Sequence, residues 1–166
     1  AGSRAPSRSA PSPTPSVTSF TINPSSVVSG STTNLTAVAA ENGGSISGVS
    51  FYEETNGVSG YQAGGDTLIG AGTFNGTSWV LSNVGTTGVS AGNYTLYAVA
   101  TDSLGQTAVA NGSLVITPAA SGPANNNFAS AQVLSGSTIV VTGSNVGATR
   151  ETGEPKIAGN AGGKSV

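Results

Sequence analysis

The sequence contains no cysteine, no histidine and no methionine. Without thiols there is no disulfide and no thiolate nucleophile. Without imidazole there is no Ser-His-Asp or Cys-His relay, and no Cys or His metal site. Charge is scarce as well: charged side chains make up 7% of the 166 residues, only five are basic, and the net charge is −2. So few cations leave no electrostatic footprint for a nucleic acid, which is excluded as an expected partner. Long apolar runs are missing too. The strongest are Leu114-Val115-Ile116 and Ile139-Val140-Val141, far short of the roughly 18 residues that a membrane-spanning helix needs. What remains reads as a non-enzyme with no membrane span.

Ser, Thr, Gly, Ala and Asn supply 104 of the 166 residues. Large apolar side chains number 30 in the 101 positions from Val17 to Thr117 and only nine elsewhere. Burial capacity is therefore concentrated in one segment, long enough for one independent core. Residues 1–16, with Pro6, Pro11, Pro13, Pro15 and five serines, form a Ser/Pro-rich linker or arm that cannot pack a core of its own. Residues 17–118 form the folded domain, 119–124 a linker, and 125–166 a partial β segment. Between Ser9 and Thr149 the charged residues are Glu41, Glu53, Glu54, Asp66 and Asp102, all acidic, whereas Arg4, Arg8, Arg150, Lys156 and Lys164 sit in the tails. An acidic centre with basic ends offers weak head-to-tail steering between copies. The chain begins at Ala1 without a leader-like stretch, which reads as a processed product or a fragment.

From Val17 onward, short alternating apolar runs are separated by Gly, Ser, Asn and Asp, the pattern of antiparallel strands. Seven runs stand out: Val17–Asn23, Thr32–Ala40, Val49–Glu54, Thr67–Thr73, Ser78–Val84, Asn93–Asp102 and Ala108–Thr117. In the sixth, Tyr94, Leu96, Ala98 and Ala100 share one face and Thr95, Tyr97, Val99 and Thr101 the other. Seven strands in about a hundred residues predict an all-β sandwich.

Phe20-Thr21-Ile22-Asn23-Pro24, Val49-Ser50-Phe51-Tyr52, Ala91-Gly92-Asn93-Tyr94-Thr95 and Ala100-Thr101-Asp102-Ser103 together resemble a bacterial immunoglobulin-like repeat of large secreted or cell-surface proteins. The resemblance covers about Val17 to Pro118 and implies a seven-stranded immunoglobulin-like sandwich. It also implies structural roles: Tyr94 as a tyrosine corner, Leu96 where an antibody domain has cysteine, and Trp79 as core filling on the fifth strand. Asn125-Asn126-Asn127-Phe128-Ala129-Ser130-Ala131-Gln132-Val133-Leu134 and the following Gly/Ser/Thr-rich stretch resemble the opening of a second secreted β-sandwich, of the kind appended after peptidases. It stops short at Val166, so Phe128, Val133, Leu134, Ile139, Val140 and Val141 become candidates for assembly, completed by a neighbouring chain.

Oxygen-rich side chains gather in 51–66. Glu53, Glu54, Asn56 and Asp66 are a candidate calcium loop, although Val58 and Tyr61 interrupt any regular ligand spacing and Glu53 and Glu54 point to opposite sides of a strand. A solvated hairpin loop is the simpler reading. Adjacent carboxylates do not make a glycosidase pair, and Asp102 reads as a turn-capping residue. Sequons at Asn34, Asn75, Asn93 and Asn111 are no more than chance supplies in so Ser- and Thr-rich a chain. An internal Lys–Asn staple is excluded because no lysine lies between Ser9 and Pro155.

Three functions are compatible with these residues. The first is a non-catalytic extracellular structural or adhesive module that contacts other repeats of its precursor. The second is a subunit of a homopolymeric filament built by strand addition. The third is a carbohydrate-binding accessory module of a secreted hydrolase, binding surface glycans through Trp79, Tyr61 or Tyr97.

Overall fold

The computed structural model describes residues 13–119 and 135–138. The chain divides into two compact units, Ala1–Pro118 and Ala119–Val166. The assembly candidates Phe128, Val133, Leu134, Ile139, Val140 and Val141, and most of the Ser/Pro arm, lie outside the described residues.

The first unit is all β, with no helix among the described residues. Its strands are β1 (Pro15–Asn23), β2 (Ser26–Val28), β3 (Thr32–Glu41), β4 (Ile46–Glu53), β5 (Thr67–Ala71), β6 (Thr73–Phe74), β7 (Trp79–Gly85), β8 (Gly92–Asp102) and β9 (Thr107–Thr117). Two sheets form, one in the order β1-β3-β7-β6 and the other β2-β9-β8-β4-β5. Every pairing is antiparallel except β2 with β9, which is parallel.

Period-two alternation decides which side chains face inward. On β3 the buried positions are Thr33, Leu35 and Ala37; on β4 they are Val49 and Phe51. On β8 Leu96, Ala98 and Ala100 point inward, and β9 adds Leu114 and Ile116. These residues meet Ile22 and Val27 in one cluster between the sheets. Phe51 is completely buried, with its ring stacked 5.7 Å from Phe20. Trp79 and Tyr94 close the cluster as half-buried neighbours, and Trp79 also packs 5.2 Å from the exposed ring of Phe74.

All seven expected runs become strands, but nine strands are described, and both additions have local causes. After β1 the chain turns at Pro24, which has no N–H to continue a ladder, and the Thr33 hydroxyl donates to the Pro24 carbonyl at 2.6 Å. After Ser25, Ser26–Val28 lie in the other sheet as β2, burying Val27. The run expected as Thr67–Thr73 divides at Gly72, where the chain passes from one sheet to the other. A Cβ there would stand 3.1 Å from both Phe51 and Trp79, so only glycine fits without displacing the core. Strand β1 also starts two residues earlier than its expected run, with Pro15 opposite Glu41.

The chain enters this unit at one pole and leaves at the other. Pro15 lies beside Glu41 and Ile46 beside Asp102, and the β8–β9 turn returns at Thr107. Thr117 lies at the far end, beside Val28. Eleven residues of β9 at about 3.3 Å each separate the poles by about 35 Å.

Candidate functional site

The most elaborate surface is the outer face of β8 and β9, over which the loop between β4 and β5 folds. The loop is built from local hydrogen bonds suited to its Gly-, Asn- and Asp-rich sequence. Glu54 Oε1 accepts from the backbone N–H groups of Asn56 (3.1 Å) and Gly57 (2.9 Å). Asn56 Oδ1 accepts from Val58 N–H at 2.7 Å, and its amide donates to Gln62 Oε1 at 3.0 Å. Asp66 Oδ2 accepts from Gln62 N–H at 2.7 Å.

Two links tie the loop to the sheet. The Tyr97 hydroxyl donates to Glu54 Oε2 at 3.0 Å. Tyr61 sets its ring 4.8 Å from Tyr52 and 6.1 Å from Tyr97. The three tyrosines thus form a cluster on a sheet face that would otherwise be wet. Burial raises the Tyr61 phenol to about 12, assisted by its hydrogen bond to Tyr52 and by the charges of Tyr52 and Asp66. Burial likewise raises Tyr97, followed by its hydrogen bond to Glu54. Beside the cluster runs a groove of about 680 Å³ lined by Glu54, Val58, Tyr61, Thr95, Tyr97 and Asn111, among others.

The expected calcium ligands do not converge as a set. Glu54, Asn56 and Asp66 belong to the loop, and the hydrogen bonds above occupy oxygens of each. Glu53 ends β4 and lines a different cavity, an apolar slot of about 220 Å³ with Leu68, Ile69, Val84 and Leu96, where burial raises its carboxyl. Among the described residues no three Asp, Glu, His or Cys side chains come together. Of the rings considered for glycan stacking, Tyr97 is 4% exposed, Tyr61 is engaged by two other tyrosines, and Trp79 packs against the core.

The residues given structural roles sit as follows. The Tyr94 hydroxyl donates to the Ser90 carbonyl at 2.7 Å, bracing the turn that leads into β8. Leu96 is 2% exposed between the sheets. Asp102 Oδ1 accepts from Leu104 N–H (2.8 Å) and Gln106 N–H (2.7 Å), capping the turn after β8.

No family model matches this chain, and no curated protein does.

Two features escaped the sequence reading. Tyr52 joins the tyrosine cluster because it lies opposite Tyr97 in the β4–β8 ladder, a register that no single run reveals. The Glu41 carboxyl is enclosed at the arm-side pole: both of its oxygens are buried, as is Asp102 Oδ2, and none of the three has a hydrogen-bond partner of good geometry. The signal for that pair was the rarity of charge: Glu41 directly follows the predicted strand Thr32–Ala40, and Asp102 ends the predicted strand Asn93–Asp102.

Proposed function

We propose that this chain is a non-catalytic extracellular module of a bacterial surface or secreted protein, an immunoglobulin-like sandwich that spaces, displays or adheres. The observation that carries the reading is the passage of the chain from one pole to the other, the geometry needed by a link in a string of units. Strand order supports the immunoglobulin-like part. The β1-β3-β7-β6 sheet has the order A-B-E-D, and β9-β8-β4 has G-F-C. So does the bond from Tyr94 to Ser90, two residues before buried Leu96, in the position of a tyrosine corner. The lack of Cys and Met, which resists oxidation, and the scarcity of charge, which lessens salt dependence, favour an extracellular setting.

Pulling the full chain between handles fused at its two ends tests this. A spacer extends in one abrupt step as the unit opens, releasing roughly 100 residues and lengthening by about 320 Å. Smooth extension with no step contradicts it.

A second reading, a filament built by strand addition, is favoured by the β5 edge. Among the described residues strand β5 has β4 as its one neighbour, and Leu68 on it is 55% exposed, so its other edge offers an incoming strand backbone groups that no described strand uses, beside an apolar side chain. Electron microscopy separates the readings. Filaments that vanish on deleting Phe128–Thr149 favour strand addition, and dispersed particles favour the spacer.

A further inference from the structure

Three carboxyl oxygens, Glu41 Oε1, Glu41 Oε2 and Asp102 Oδ2, are buried without partners; their two side chains end β3 and β8 at the pole where the arm joins the sandwich, near enough for Asp102 to act on Glu41. Two ionised carboxylates are acceptors only, so they cannot satisfy one another, and in a buried site they repel. One proton resolves both difficulties. Asp102 Oδ1 already accepts two backbone N–H bonds, whereas the one backbone group that reaches toward the Glu41 carboxyl, at Ser45, completes no hydrogen bond with it. The proton therefore belongs on Glu41.

We propose that Glu41 and Asp102 form a proton-sharing latch: protonated Glu41 donates to Asp102 Oδ2, holding the 42–45 turn against the 103–106 turn, and loss of that proton opens the pole.

The surroundings fit this. Gly44 lies so close to the Glu41 carboxyl that a Cβ there would overlap it, so the 42–45 turn packs directly on that carboxyl. The two turns are joined by Ser103 N–H to Ser45 O at 3.0 Å, and Ser47 Oγ donates to Asp102 O at 2.9 Å. Gln106, placed by Asp102, donates through its side chain to the Pro13 carbonyl at 3.1 Å, and Pro15 pairs with Glu41 itself. The latch thus reaches the last residues of the arm, Pro13 and Pro15. Burial raises the Glu41 carboxyl above its ordinary value, the Asp102 charge and hydrogen bond raise it further, and the Ser45 backbone pulls partly back.

Among the described residues no other titratable group faces Glu41. Residues 13–19, 42–47 and 103–108 contain none, and Glu53, Glu54 and Asp66 lie at or beyond the opposite end of β4. The sign follows: a carboxyl raised on folding contributes stability below its ordinary value, and that stability is lost as pH rises through its folded value.

Carbon-detected NMR of the full chain tests the latch without any substitution. The Glu41 carboxyl should titrate above the ordinary value of about 4.3, and across the same range the intrinsic-rate-corrected protection of the Leu104 and Gln106 amides should fall, by up to about tenfold per pH unit. In E41Q, whose amide still donates to Asp102 but carries no titrating proton, that fall should disappear. Titration of Glu41 at or below its ordinary value overturns the proposal. So does protection in E41Q that depends on pH as in the parent.

Discussion

At Tyr94 a single hydroxyl joins the beginning of a core strand to the turn before it. Replacing Tyr94 with Phe keeps the ring and removes the 2.7 Å bond to Ser90. A net loss of about 1 kcal/mol is expected, seen as a lower urea midpoint with an unchanged slope. Gly72 sits under a different constraint. Alanine there drives a methyl to 3.1 Å from Phe51 and Trp79, and overpacking of this kind costs about 1–3 kcal/mol. A Gly72→Ala protein as stable as the parent would show that the crossing between sheets is looser than described. Tyr61 gives a prediction with a sign. Its phenol ionises at about 12 in the folded unit against about 10 in an unfolded chain, so it contributes stability in full below pH 10 and loses it as pH climbs toward 12. Tyrosinate absorbance should show Tyr61 and Tyr97 titrating later than an ordinary phenol while the unit is folded, and Tyr61→Phe should flatten the Tyr61 part of the alkaline stability profile.

Strands β2 and β9 form the only parallel pair among the described strands. Pulling on the beginning of β1 and the end of β9 loads that pair in shear, because β2 and β9 run the same way and are drawn toward opposite poles. The Ser29 N–H donates to Thr117 O at 2.9 Å at its far end. Ser29→Pro removes that donor, so the opening force should drop and the equilibrium stability should fall by about 1 kcal/mol. An unchanged force would move the load elsewhere. Strand β2 is also where the sequence was least legible. Ser26-Val27-Val28 is too short to show alternation, and it becomes a strand only because β9 lies beside it. The long runs were legible because their core face alternates with the other: Thr33, Leu35 and Ala37 on β3 mark period two directly, and on β8 Leu96, Ala98 and Ala100 share the core face although Tyr97 and Val99 on the opposite face are buried too. In the loop, the turn residues Asn56 and Asp66 announced themselves by type. The Tyr52–Tyr61–Tyr97 cluster and the Glu41–Asp102 pair depend on register between strands far apart in the chain, which composition and spacing do not encode.

Viewed whole, the first unit is a sandwich that offers its surroundings two poles, an exposed β5 edge and a tyrosine-lined groove. A spacer needs the poles far apart and the unit between them rigid. The absence of cysteine makes the geometry directly measurable, since Thr14→Cys and Thr117→Cys introduce the only thiols. Spin labels on the two, in the full chain, report the distance between the ends of the unit by pulsed electron resonance. A single narrow distribution near 35 Å, persisting up to a cooperative unfolding transition, is the predicted result. Labels close together, or a broad distribution under native conditions, would contradict the account.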